Sequence, residues 1–360
     1  MIFNKINFIK IVFYFLIYIF APIEGRLRLN SFSSYVEPLN NSIRYIALGF
    51  ESGEIILWDL SVPKIVVRDT LESPIIDIAI NSYTGIIVAS TENGNVVGVN
   101  YKGEQSFIES YPPRSPYKLK INDIDISRDG ELIYCIGEHY SDIAKGLIID
   151  TNGKLKNYYY DKSELDINGI FNRLDLQKKE LISVYENGLI NVWDVSSNEI
   201  SLKVKNSIQN DISSIDIDRG SSKGRLVITY GERIRMYDYD NNKFSREKRL
   251  PDKATSVYFL TKEKKSNDFI TGHENGTISY WKGSGYSAFK YFDSSYKIHQ
   301  GPIIGIMATP TKQGSILITT GEDGEVVFTD YLSNDYKQLG RLMLDGNYLE
   351  SKGFTFSSKF

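Results

Sequence analysis

The sequence predicts an all-β chain: seven four-stranded antiparallel sheets arranged radially as a seven-bladed β-propeller. Three observations predict it. First, a strand–turn–strand unit, clearest in Leu181–Tyr185, Glu186-Asn187-Gly188 and Leu189–Val195, recurs about every 44 residues, the spacing class of four-stranded blades. Second, most units carry an apolar strand upstream of that hairpin and a polar strand downstream. Third, Ile, Val, Tyr, Phe and Thr are plentiful, which favours strands. With 41% hydrophobic and 24% charged residues, a chain of 360 residues can bury a sizeable core. Asn and Gly tolerate the positive φ of a tight hairpin, so Glu-Asn-Gly marks a turn. A twisted sheet with two apolar faces must cover both. Radial stacking does so, and closing the ring removes the exposed flanks.

Residues 1–25 stand apart. Lys5 and Lys10 precede an apolar run, Ile11–Ile23, of about 13 residues, the length of a signal-peptide core and short of the roughly 20 that span a bilayer. Ala21 and Gly25 supply small residues where cleavage would occur. The segment is expected to be a secretory signal. The alternatives are an uncleaved signal anchor, the only expected route to a membrane, and an apolar leader with no targeting role. Secretion usually brings disulfides, yet the chain has one cysteine, Cys135. It lies in the apolar stretch Leu132–Ile136 and reads as a buried structural thiol.

Residues 26–345 hold the seven units. Aligned on Trp193-Asp194, the equivalent pairs are Trp58-Asp59, Val99-Asn100, Ile149-Asp150, Tyr237-Asp238, Trp281-Lys282 and Thr329-Asp330. The preceding turns are Glu51-Ser52-Gly53, Glu92-Asn93-Gly94, Glu274-Asn275-Gly276 and Glu322-Asp323-Gly324, with traces at Lys145-Gly146 and Gly231-Glu232. Inner strands are expected at Ile75–Ile80, Ile121–Ile126, Ile212–Ile217 and Ile303–Met307. Polar outer strands are expected at 199–204 and 243–249. The blades are Arg26–Leu71, Glu72–Ser110, Tyr111–Asp161, Lys162–Ser207, Ile208–Leu250, Pro251–Tyr296 and Lys297–Leu344. Residues 346–360 are either a loose tail or a ring-closing strand, with Gly353–Phe356 pairing on blade one.

These residues resemble the WD-repeat family. Trp58-Asp59-Leu60 and Trp193-Asp194-Val195 match its signature dipeptide, and Ile298-His299 before Pro302–Ile306 is similar to its Gly-His element. The resemblance implies a structural hydrogen-bond tetrad of His, a strand Ser or Thr, a turn Asp and the Trp. Trp58, Asp59, Trp193, Asp194, Trp281, His299 and Asp323 are the expected structural residues. Blade seven offers His299, Thr320 and Asp323, with Thr329 in place of Trp, and no blade has the full set. Quinoprotein-like propellers share a Gly turn before an apolar strand ending in Asp; the Trp-Asp pairs favour the WD-repeat resemblance.

Little in the chain reads as chemistry, and no enzyme, cofactor or metal is expected. A hydrolase triad needs a His base oriented by an acid beside a nucleophile. His273 falls in Gly272–Gly276 and reads as a surface turn residue, while His299 reads as a structural cap. His139 shares a loop with Glu138 and Asp142, a sparse set for a metal. Asp123, Asp125, Asp216 and Asp218 alternate as a half-buried strand does. No phosphate-binding glycine loop occurs.

Function is therefore expected on loops. By the family's geometry, the connection Glu109–Lys118 and the insertion Glu138–Lys145 share one rim of adjacent blades. Tyr and Arg are enriched at binding hot spots, and Pro limits the ordering entropy lost. Tyr111, Arg114, Tyr117, His139 and Tyr140 are the expected contact patch for a protein partner. A net charge of −3 argues against nucleic acid; the charged loop 261–268 reads as solvated, with an anionic partner the alternative. The expected role is a non-catalytic protein-interaction scaffold, a monomer within a complex, entering the secretory pathway. The alternatives are an intracellular complex subunit and a propeller enzyme or small-ligand binder. Asn40 and Asn275 head glycosylation sequons.

Overall fold

Side chains along a strand alternate between faces, and here both faces are dry. In the stretch Ile46-Ala47-Leu48, Ile46 and Leu48 pack with Met307, Ile318 and Phe328. Ala47 turns the other way, onto Ile75, Ile78 and Ile87. The chain must therefore be apolar at nearly every position of its middle strands.

The structure, a computed structural model, describes residues 29–37, 42–59, 64–81, 86–111, 119–127, 130–138, 146–159, 169–175, 178–197, 199–218, 223–260, 268–283, 289–311, 314–330, 337–343 and 348–350. It is the predicted seven-bladed propeller: seven separate antiparallel sheets, each built from consecutive strands and running outward from the ring's centre.

Blade one is β1 (Leu29–Glu37), β2 (Ser42–Phe50), β3 (Glu54–Asp59) and β4 (Lys64–Thr70). Blade two is β5 (Ile75–Ile80), β6 (Ile86–Thr91), β7 (Asn95–Asn100) and β8 (Gln105–Ser110). Blade three is β9 (Lys120–Ile126), β10 (Leu132–Glu138), β11 (Gly146–Asp150) and β12 (Leu155–Tyr159). Blade four is β13 (Gly169–Asp175), β14 (Glu180–Tyr185), β15 (Leu189–Asp194) and β16 (Ser201–Ser207). Blade five is β17 (Ser214–Ile217), β18 (Arg225–Tyr230) and β19 (Arg233–Asp238), with an outer strand broken into β20 (Lys243–Phe244) and β21 (Lys248–Arg249). Blade six is β22 (Ala254–Phe259), β23 (Phe269–His273), β24 (Thr277–Gly283) and β25 (Phe289–Lys297). Blade seven is β26 (Ile303–Thr311), β27 (Gly314–Gly321), β28 (Glu325–Asp330) and β29 (Lys337–Met343), and β30 (Tyr348–Glu350) pairs on its outside.

Each junction between blades holds an apolar cluster. Tyr134, Ile148, Tyr159, Leu181 and Trp193 join blades three and four. Val227, Met236, Phe259, Phe269 and Trp281 join blades five and six. Polar bonds cross the junctions near the centre. Asp77 accepts from the Ile124 N–H, Asp125 from Leu174 and Asp216 from Phe259, each at 2.8 Å. The acids interleaved with Ile on the inner strands are thus ties from one blade to the next. Asp123 is held by Arg173 at 2.8 Å.

The hairpin turns also fasten neighbours. Gly188 has φ +80°, a left-handed conformation that glycine adopts freely. Its carbonyl accepts from the Ile208 N–H at 2.9 Å as the chain leaves blade four. A Cβ at Gly188 would collide with the Ile208 carbonyl. Gly146, read as a turn remnant, instead lies inside β11 against the Tyr159 ring. The leader, Asn40 and residues 351–360, including Gly353–Phe356, lie outside the described residues. Among those described, no helix is long and apolar enough to cross a membrane.

Candidate functional site

The expected contact patch grows from the junction of blades two and three. The connection from β8 departs at Tyr111 and returns at Leu119, where the Leu119 N–H donates to the Tyr111 carbonyl at 2.6 Å. That bond pinches the loop shut at its base. Tyr111 is only 1% exposed. It packs with Phe107, Leu119, Ile121 and Cys135, and its hydroxyl donates to the Gly153 carbonyl. Burial pushes its phenol pKa up. Tyr111 is therefore the anchor of the loop and presents no surface to a partner, a correction to its expected role. In sequence an aromatic directly after a polar outer strand reads as exposed, whereas the chain is already diving into the next junction.

The second connection leaves blade three after Glu138 and re-enters at Gly146. Glu138 and Lys120 are opposed in the β9–β10 register. The stems of the two loops, 112–118 and 139–145, therefore meet at one rung. Gly137 makes the approach possible, since a Cβ there would strike the Lys120 carbonyl. Arg114, Tyr117, His139 and Tyr140 lie within these loops, outside the described residues.

The expected structural residues all lie among the described ones. Trp193 Nε1 donates to Ser183 Oγ at 2.6 Å, and Trp281 Nε1 to Thr271 Oγ1 at 2.9 Å. In both blades the hydroxyl stands two residues beyond the strand partner of the Trp. In blade one that position is Leu48, and the buried Trp58 Nε1 has no hydrogen-bond partner. Asp194 serves the outer turn, accepting from the Ser196 N–H at 2.8 Å. Asp59 is buried.

His299 is a structural histidine. Its Nδ1 donates to Asp323 at 3.0 Å, and its Nε2 accepts from Thr319 Oγ1 at 2.9 Å. Thr320, the expected partner, faces the opposite junction, and its hydroxyl is unpaired. The parity of the strand decides this: Thr319 shares a face with Leu317, which packs against blade six. Burial alone would raise the Asp323 carboxyl. Bonds from His299 and from the Gln300 and Glu325 N–H groups outweigh it and hold the pKa below the usual carboxylate range.

His273 corrects another expectation. It is not at the surface but fully buried. Its Nδ1 donates to the Asp252 carbonyl at 3.0 Å; its Nε2 faces Ser279 Oγ at 2.9 Å and Thr271 Oγ1 at 3.1 Å. A relay thus runs from Trp281 through Thr271 and His273 to the Asp252 backbone. Blade six builds with a turn histidine what blade seven builds with His299 in the link. The signal was present in the alternation: Phe269, Thr271 and His273 share one face of β23. Burial holds the His273 pKa below its ordinary value.

Among the described residues, His299, Asp323 and Glu325 bring ligand atoms within 4.8 Å of one another. Arg341 already stands 2.8 Å from Glu325 and supplies the cation there. Cys135 is buried, and burial pushes its thiol pKa up. Asn275 is exposed on its turn, with Oδ1 accepting from Thr277 N at 2.9 Å and Thr277 Oγ1 at 2.6 Å.

No protein-family model matches the chain, and none of the curated proteins matches it. Among solved structures, the crystal structure of the computationally designed Ika8 protein is similar, with a TM-score of 0.61 at 16% sequence identity. The likeness covers 91% of this chain and 90% of that one. At that identity the likeness is one of fold alone, and seven antiparallel sheets closed into a β-propeller are what is established for this chain.

Proposed function

We propose that this chain is a non-catalytic propeller platform of WD-repeat type, delivered to the secretory pathway, that holds a protein partner on the rim of blades two and three. One observation carries the reading: Lys120 and Glu138 oppose each other in one rung, so two long connections rise from a common, rigid base. A fixed base lowers the ordering cost of binding by whatever those loops present. Further support comes from the groups that would serve catalysis. His273, His299, Asp77, Asp125 and Asp216 are each committed to structural bonds.

Affinity capture with mass spectrometry names the partner. The variant Arg114→Ala with Tyr117→Ala should then retain the wild-type melting temperature and lose most of the captured partner, as truncated hot spots do. Undiminished capture would retire the rim. Localisation of a carboxy-tagged chain separates secretory delivery from an intracellular platform. A glycan released enzymatically from wild type and missing in Asn275→Gln would support the secretory route.

A further inference from the structure

Blade five departs from its neighbours at the outer edge. Its fourth strand stops after Phe244 and resumes at Lys248. Between them Ser245 clasps Met236 twice: the Ser245 N–H donates to the Met236 carbonyl at 2.8 Å, and the Met236 N–H donates to Ser245 Oγ at 2.9 Å. The side chain has taken over an acceptor position that a continuous strand would fill with backbone. A groove of about 490 Å³ opens beside the break, lined by the half-buried Phe244 and by Lys243, Arg246 and Asn241, with the buried Met236 and Asp238 also against it.

The charge is as uneven as the backbone. Lys243, Arg246 and Lys248 are exposed, and none has an ion-pair partner among the described residues. Arg235 stacks on the Phe244 ring at 4.8 Å. Arg233 and Arg249 are matched by Glu247 and Glu232. A chain of net charge −3 thus gathers unmatched cations on one sheet edge. Outer edges of this ring do accept a further strand, since β30 pairs on β29 in blade seven.

We propose that the outer edge of blade five is a second docking surface, which takes an extended acidic segment of a protein partner by strand addition. The open N–H and C=O groups beside β20 and β21 supply the backbone ladder. In an alternating acidic–apolar segment, acids meet Lys243 and Arg246 while apolar residues meet the half-buried Phe244 ring. The apolar lining and the strand edge favour a polypeptide over a nucleic acid, which would offer neither ladder partners nor alternation.

The test uses the full chain and a fluorescein-labelled peptide of about eight residues, near the usual strand length, alternating Glu and Val, with binding read by anisotropy. Saturable binding is expected at low salt. It should weaken at least about tenfold in Lys243→Glu with Arg246→Glu, and weaken again as salt shortens the screening length. Lys102→Glu with Lys154→Glu, on turns of blades two and three, should bind as wild type. A peptide N-methylated at alternate residues should lose binding, because its ladder donors are gone. Equal binding by the two double variants, retained binding of the methylated peptide, or equal affinity for a single-stranded oligonucleotide would overturn the proposal.

Discussion

Trp193 and Trp58 occupy equivalent positions and differ by one atom's surroundings. The Trp193 indole donates to Ser183; the Trp58 indole has Leu48 where that hydroxyl would be. Replacing each with Phe removes the same volume. The costs should therefore differ by the hydrogen bond, about 1–2 kcal/mol more for Trp193→Phe. Paired denaturant titrations measure the difference, and equal losses would show that the Trp193 bond contributes nothing. His273 gives a pH dependence instead. The fold lowers its pKa, chiefly by burial, so the unfolded chain binds the proton more readily. Its contribution is complete above the ordinary value near 6.5 and is lost as pH falls through that value toward the folded pKa. Between about pH 7.5 and 5, wild type should lose more melting temperature than His273→Gln; parallel curves would mean that the fold leaves the His273 pKa where the unfolded chain has it. Both residues show what sequence reading can reach at this scale. The Trp-Asp pairs were legible because they recur at a fixed place after a turn. The partners were not, because Thr319 and Thr320 differ only in the parity of β27, which the apolar run around them does not mark.

The hairpins between middle strands do more than reverse the chain. Their Gly signature was readable, since Gly53, Gly94, Gly188, Gly276 and Gly324 all take positive φ. Their second task was not readable: Gly53, Gly188 and Gly276 abut the link entering the next blade, a contact made only once the ring has formed. Two glycines separate these roles. Gly188 has φ +80° and no room for a Cβ beside the Ile208 carbonyl. Gly231 has φ +51° and nothing within 4 Å. Gly231→Ala should cost about 1–2 kcal/mol, the penalty of a left-handed non-glycine residue. Gly188→Ala carries the same penalty and must also push blade four from the chain that leads to blade five. It should cost at least about 3 kcal/mol, at the upper end of single substitutions. Chemical denaturation of both variants checks the order, and similar costs would reduce the turn to a local device. The same limit explains the inner-strand acids. Alternation with Ile placed them on a half-buried strand, but only adjacent blades reveal that Asp77, Asp125 and Asp216 each cap a backbone N–H of the neighbour.

At the scale of the ring, the question is what holds blade seven to blade one. Each of the two blades is continuous in sequence, so among the described residues no strand is exchanged across the seam. The seven-sheet ring was legible from spacing alone; its method of closure was not, because a terminal segment rich in Phe reads equally as latch or tail. In the structure the inner strands β1 and β26 lie together, and Ile46, Leu48, Phe50 and Trp58 pack on Met307, Ile318, Val326 and Phe328. The C-terminal strand β30 lies on the far side of blade seven, away from that junction in sheet order. Two consequences follow. Ending the chain at residue 345 removes only three residues of outer strand from the described fold, and should change stability by less than about 1 kcal/mol. Phe50→Ala should cost about 3–5 kcal/mol, as should Phe269→Ala at the junction of blades five and six, since both rings are fully buried. The two should differ in how the loss is felt. The chain itself tethers blade five to blade six, whereas among the described residues packing is what joins blade one to blade seven. In Phe50→Ala the seam can open as a unit before global unfolding. Amide exchange should therefore accelerate first in β1 and β26, while Phe269→Ala raises exchange across the whole ring. Uniform exchange in both variants would mean that the seam is as cooperative as any other junction and that closure rests on more than this cluster.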